Sequence, residues 1–167
     1  MIVHGFDMHR VYISTPGDLE REQETCRKAI SEVNEKEAMP HKVLLVSVGL
    51  LYDEQISGYR AAVADNIRQC TFFIQVFEDD WGPKNLFRKM FYLATDCRDD
   101  ASLPMRDIVV CLKAAPRETD PEILAFRKEL EECPNVRVVH FEKPEGLKTH
   151  LLDILSEWAR SIVAAGP

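Results

Sequence analysis

Thr71-Phe-Phe-Ile-Gln-Val-Phe77 is apolar at nearly every position, the pattern of a strand covered on both faces rather than one with a wet side. It is expected at the centre of a mostly parallel sheet. Upstream, Arg10-Val-Tyr-Ile-Ser14 and Lys42-Val-Leu-Leu-Val-Ser-Val-Gly49 read as a first and second strand; downstream, Ile108-Val-Val-Cys-Leu112 and Val136-Arg-Val-Val-His-Phe141 read as a fourth and fifth. Helical spacing fills the intervals. Residues 15–37 place Leu19, Cys26, Ile30 and Val33 on one face, residues 56–69 turn Ile56, Val63 and Ile67 inward, and residues 85–97 carry Leu86, Met90, Leu93 and Ala94. Asp120 and Pro121 suit the cap and first position of a helix whose inward face is Ile123, Phe126, Leu130 and Cys133. The last helix, from about Pro144, aligns Leu147, Leu151, Ile154, Leu155, Trp158 and Ile162.

Alternating strands and helix-length crossovers predict an α/β fold. The expected form is a three-layer αβα sandwich on a five-stranded sheet, in the flavodoxin-like order 2-1-3-4-5. In that order the chain reverses between the first and third strands, and ligands of such folds bind outside the carboxyl ends of those strands.

The 167 residues suit a single domain, 1–167 with a core of about 8–164, able to bury an apolar interior without disulfide or metal staples. Ala164-Ala-Gly-Pro167 reads as a domain end, whether of a whole protein or of a piece of a larger one. A net charge of −7 argues against nonspecific binding to nucleic acid, which needs clustered Lys and Arg. The five cysteines, Cys26, Cys70, Cys97, Cys111 and Cys133, are odd in number, form no CxxC and sit in apolar stretches, as small hydrophobes of a reducing compartment do. No run approaches the length of a membrane span, and Met1 to His9 lacks the features of a signal peptide, so a cytoplasmic location is expected.

Two loops should meet at the crevice. In the first, Ser14-Thr-Pro-Gly-Asp18, Thr15 can cap a helix that Pro16 begins, with Asp18 reaching back to the cap. Alternatively Ser14, Thr15, Gly17 and Asp18 offer hydroxyls and helix-terminal N–H groups to a phosphate or ribose. The second loop, Glu78-Asp-Asp-Trp-Gly82, aligns Glu78, Asp79 and Asp80, with Asp53 expected nearby; these carboxylates could be a solvated turn, a general base, a ribose contact or a Mg²⁺ site. Trp81 and Tyr52 could stack on a base or close the end of the core, and Gly82 completes the turn. Arg88 could answer the acids or an anionic ligand. The glutamates Glu20, Glu22 and Glu24 are accounted for by the helix dipole. GxSxG and HExxH are both absent, which disfavours a serine hydrolase or zinc protease. A phosphorelay receiver would need an acidic pair where Ser14 and Thr15 stand.

Val11-Tyr-Ile-Ser-Thr-Pro-Gly-Asp-Leu-Glu-Arg21, Asn66-Ile-Arg-Gln-Cys70, the Phe72 to Phe77 strand and Asp79-Asp-Trp-Gly-Pro83 together resemble the TIR-like domains of bacterial multidomain NTPase and signalling proteins, of the TIR and nucleoside deoxyribosyltransferase group. The resemblance covers roughly residues 10 to 115. It implies either a signalling module that self-associates or docks partner effector and NTPase domains, or an enzyme cleaving the glycosidic bond of NAD or another nucleotide, often in bacterial defence. Cleaving relatives use a glutamate on the helix after the third strand. Residues 84–96 contain no glutamate, and Arg88 stands where relatives carry an acid. The expectation is therefore a binding or assembly module without turnover, with a glycosidase working through Glu78, Asp79 or Asp80 as the alternative.

Overall fold

The structure is a computed structural model and describes residues 1–16, 18–49, 58–82 and 85–166. Six strands form one sheet: β1 (Ile2–Val3), β2 (Phe6–Ser14), β3 (Val43–Val48), β4 (Phe72–Phe77), β5 (Asp107–Lys113) and β6 (Arg137–Phe141). The five α-helices of the described residues are α1 (Glu20–Val33), α2 (Tyr59–Arg68), α3 (Leu86–Asp99), α4 (Pro121–Glu132) and α5 (Pro144–Ala165). The pairs β2–β3, β2–β4, β4–β5 and β5–β6 are parallel, and only β1 runs antiparallel, against Asp7 and Phe6 of β2. The strand expected first is thus the second in the chain. A two-residue pairing carries no periodicity by which β1 could be foreseen.

Successive strand residues point to opposite faces, and the interior divides accordingly. Val11, Ile13, Phe72, Ile74, Val109 and Cys111 pack on α1 and α5. Tyr12, Phe73, Phe77, Ile108, Val110 and Leu112 pack on α2, α3 and α4. Helices therefore cover both faces of an α/β sheet. All six residues of β4 are buried, as its continuous apolar run requires. On the α5 side, the rings of Phe72 and Trp158 stack at 4.3 Å while Trp158 Nε1 donates to Asp107 Oδ2 at 2.7 Å. Cys26, Cys70, Cys97 and Cys111 are buried free thiols, and Cys133 is half-buried.

Several local expectations need correction. Thr15 does not cap α1: the helix starts at Glu20, and the cap position is Leu19, which makes no side-chain capping bond. Leu19 is buried in the core instead. Burying a leucine contributes about 1.5–3 kcal/mol against about 1 for a cap, so packing decides where the helix begins. At its other end, α1 passes into a π-turn, Asn34–Ala38, and a 3-10 turn, Met39–His41, rather than stopping near Glu37. The pitch changes at Asn34, whose amide donates to Leu45 O at 2.7 Å and accepts from Leu45 N at 2.9 Å, lying along the outer edge of β3 like a short extra strand. The Asp120 cap holds as read, accepting from Glu122 N at 2.8 Å. Ile56, assigned to the inward face of α2, lies outside the described residues.

Candidate functional site

The carboxyl ends of β2 and β4 meet at Ser14 and Gln75, which are register partners. Both are almost fully buried, at 1% and 2% exposure. Alternation from Tyr12 and Phe73 puts the two side chains on the α2, α3 and α4 face. Gln75 Nε2 donates to Ser14 O at 3.3 Å and to Val76 O at 3.0 Å, which fixes the amide and leaves Oε1 without a partner. Ser14 Oγ and Trp81 Nε1 are likewise buried and unpartnered. Trp81 stacks on Phe77, two residues beyond Gln75 on the same face, with ring centroids 4.1 Å apart. Three polar atoms, one hydroxyl, one amide oxygen and one indole N–H, are thus left unsatisfied around the ends of two central strands. A buried polar group without a partner costs about 1–3 kcal/mol. Gln75 was not singled out from the sequence, although one polar residue in an otherwise unbroken apolar strand was its signal.

A second arrangement lies on the α1 and α5 side. Glu22, in the first turn of α1, is 3% exposed, and its Oε1 is 3.0 Å from Lys113 Nζ at the end of β5. The same ammonium is 3.3 Å from Glu78 Oε2. Burial opposes the charge on Lys113, but the two carboxylates outweigh it and raise its pKa above the usual lysine value. Glu22 and Lys113 border an open cleft of about 470 Å³ that Asp18, Arg21 and Lys143 also line. Reading Glu22 as a mere dipole acid is corrected by this burial. Its signal was present: positions 22, 26, 30 and 33 form one helical stripe, so Glu22 extends the buried face of Cys26, Ile30 and Val33.

The remaining candidates separate. Asp18, Asp79 and Asp80 are exposed, and Asp80 Oδ1 accepts from Gly82 N at 2.8 Å, closing the turn on itself. Gly82 has φ +67, and a Cβ there would come within 2.5 Å of the Phe87 ring. Trp81 closes the end of the core, edge-on to Phe126 at 4.0 Å. Arg88 does not answer the acidic loop. Its Nε donates to Tyr92 Oη at 3.1 Å, its Nη2 lies 3.7 Å from Glu129, and its guanidinium sits over the Phe126 ring at 5.1 Å. The Tyr92 hydroxyl bond is the main cause that raises the Arg88 pKa. Thr15 is half-buried. Gly17, Tyr52 and Asp53 lie outside the described residues. Among the described residues no three His, Cys, Asp or Glu side chains converge on a point that could hold a metal ion, and no helix is long and apolar enough to cross a membrane.

The fold and these two arrangements define an α/β protein with unsatisfied polar groups on one side of its strand ends and a carboxylate-flanked lysine on the other. Compared with known proteins, the chain matches no family model, and no significant match was found among curated proteins.

Proposed function

We propose that this chain is a flavodoxin-like, TIR-like signalling and interaction module that binds a nucleotide-type ligand, NAD or a relative, without turning it over. The observation that carries the reading is the set of unpartnered buried atoms, Ser14 Oγ, Gln75 Oε1 and Trp81 Nε1, at the ends of β2 and β4. A hydroxyl, an acceptor and a donor suit a ligand that itself carries hydroxyls and ring nitrogens, as ribose and a base do. The strand-end location agrees with where ligands of doubly wound sheets bind. Absence of a glutamate from α3 supports binding over cleavage. Defence signalling through partner effector domains or copies of the chain is part of the same proposal. The test is a thermal-shift panel with NAD, ADP-ribose and nicotinamide, run beside size-exclusion chromatography. A ligand-induced rise in Tm that Ser14→Ala removes is expected. No shift with any nucleotide, together with a strictly monomeric chain, would sink the reading.

The alternative is a nucleotide N-glycosidase working through Glu78, Asp79 or Asp80, of which Glu78 is the one whose side chain reaches Lys113. Nicotinamide release from NAD that Glu78→Gln abolishes would favour it. Release surviving Glu78→Gln would remove the residue from the chemistry.

A further inference from the structure

At the amino ends of the strands, opposite the sites above, a cleft of about 750 Å³ is bordered by Arg10, Arg68, Arg98 and Arg106 against one carboxylate, Asp100. In a chain of net charge −7 this is a local reversal of sign. Two of the four guanidiniums have ordinary explanations. Arg68 and Arg98 occupy the last turns of α2 and α3, where the helix dipole favours cations, and they pair with Asp65 and Asp99 at 3.1 Å. Arg10 and Arg106 have neither. Arg10 Nη1 is held by the neutral Gln69 Oε1, and Arg106 has no side-chain partner among the described residues. Asp100 is engaged within its own turn, its Oδ1 accepting from Ser102 N at 2.9 Å and Ser102 Oγ at 2.7 Å. The protein supplies no thiolate either: burial pushes the Cys70 thiol behind Arg10 up to about 12. The base of the cleft is partly apolar, with Met8 and Met105, beside the buried His9 and Thr71, which are bonded to each other at 3.2 Å.

We infer that this cleft is a binding site for a small phosphate-bearing anion of the pyrophosphate or nucleoside diphosphate class, held by Arg10 and Arg106 in the field of Arg68 and Arg98. Guanidinium groups match phosphate oxygens in pairs, and Arg10 and Arg106, which have no carboxylate partner among the described residues, give up no ion pair on receiving an anion. The concave shape favours a small ligand over a flat partner surface. From Arg10 to Ser14 along β2 is four residues, about 13 Å at the usual strand rise, so this site and the strand-end crevice are separate and can be tested separately.

The experiment is isothermal titration of the full chain with inorganic pyrophosphate and with ADP at low ionic strength. Saturable binding is expected for at least one probe. Arg106→Gln, on an exposed side chain whose loss does not threaten folding, is expected to weaken it by at least about tenfold, the loss of one charge-assisted bond. Arg10→Gln should do likewise, and Ser14→Ala should leave pyrophosphate binding unchanged. ADP binding tighter than pyrophosphate would mean that the apolar base is used; equal binding would mean that phosphate alone is read. The inference is overturned by no saturable heat with either probe, or by affinity unaltered in Arg106→Gln. It is overturned equally if Ser14→Ala abolishes pyrophosphate binding, which would place the anion in the crevice. Concentration-dependent dimerisation that Arg106→Gln abolishes, without anion binding, would make the patch a contact between copies and also overturn it.

Discussion

Glu22 Oε1, buried in the first turn of α1, lies 3.0 Å from the ammonium of Lys113 at the end of β5, so a helix start is tied by charge to a central strand. Lys113 keeps Glu78 as a second partner, so the costly single change is Lys113→Met, which leaves the buried Glu22 carboxylate without its cation and is expected to cost about 3 kcal/mol, the low end for buried pairs because the site is partly open to solvent at Lys113. Replacing both, Glu22→Leu with Lys113→Met, should recover most of that loss. Urea unfolding checks it through the midpoint at unchanged slope. A double variant as unstable as the single one would mean that the pair is not the cause.

Ser14 supplies the opposite sign. Its hydroxyl is buried without a partner, so Ser14→Ala should stabilise the ligand-free protein by about 1 kcal/mol while removing ligand-induced stabilisation. The two effects are separable in one thermal-shift series. A destabilised Ser14→Ala protein would show that the hydroxyl already has a partner in solution.

Gly82 combines a left-handed backbone with a Cβ position filled by the Phe87 ring. Gly82→Ala is expected to cost about 2 kcal/mol or more, from backbone strain and overpacking together. Adding Phe87→Ala relieves only the steric part. A double-mutant cycle in urea therefore separates the two contributions, and a cycle with no coupling energy would refute the contact as the cause.

Acid should loosen the junction between α1 and α5. The Lys36 bond first, then Lys148, holds Glu32 down at about 2 from 4.5. The Ser156 hydroxyl, with Arg160, lowers Glu37. A depressed carboxylate contributes stability that is present above its unfolded pKa and lost as pH falls through the folded one. For Glu32 that window runs from about 4.5 down to about 2. Lys113 acts at the other limb: its raised pKa gives stability present below the ordinary lysine value and lost as pH climbs through the folded one. Unfolding measured from pH 2 to 7 should flatten at the acid end in a Glu32→Gln, Glu37→Gln variant, and an identical acid limb would contradict this account.

The sheet was readable because β4 and β5 are buried on both faces and say so residue by residue, and α4 because Asp120 and Pro121 mark its start. The start of α1 was misplaced because Thr15, Pro16 and Asp18 spell a cap while Leu19 spells burial, and local rules do not state which contributes more. At the site, Ser14 and Glu78 were named from their positions at strand ends. Lys113 was passed over because a lysine closing a strand looks like any solvent-facing terminus until the helix that packs above it is known. Arg88 was drawn toward a ligand by chemistry that Tyr92 and Phe126 satisfy within the protein, and of Trp81 only the ring is so satisfied, by Phe77, its N–H staying unpartnered.

The Asn34 amide bears on assembly. By occupying the N–H and C=O of Leu45, it takes from an incoming chain the middle of the hydrogen-bonding edge that an unguarded β3 would offer. At the far margin β6 pairs only with β5 among the described strands. Continuing the sheet past β3 would have to displace the Asn34 amide, whereas continuing it past β6 would displace no strand among those described.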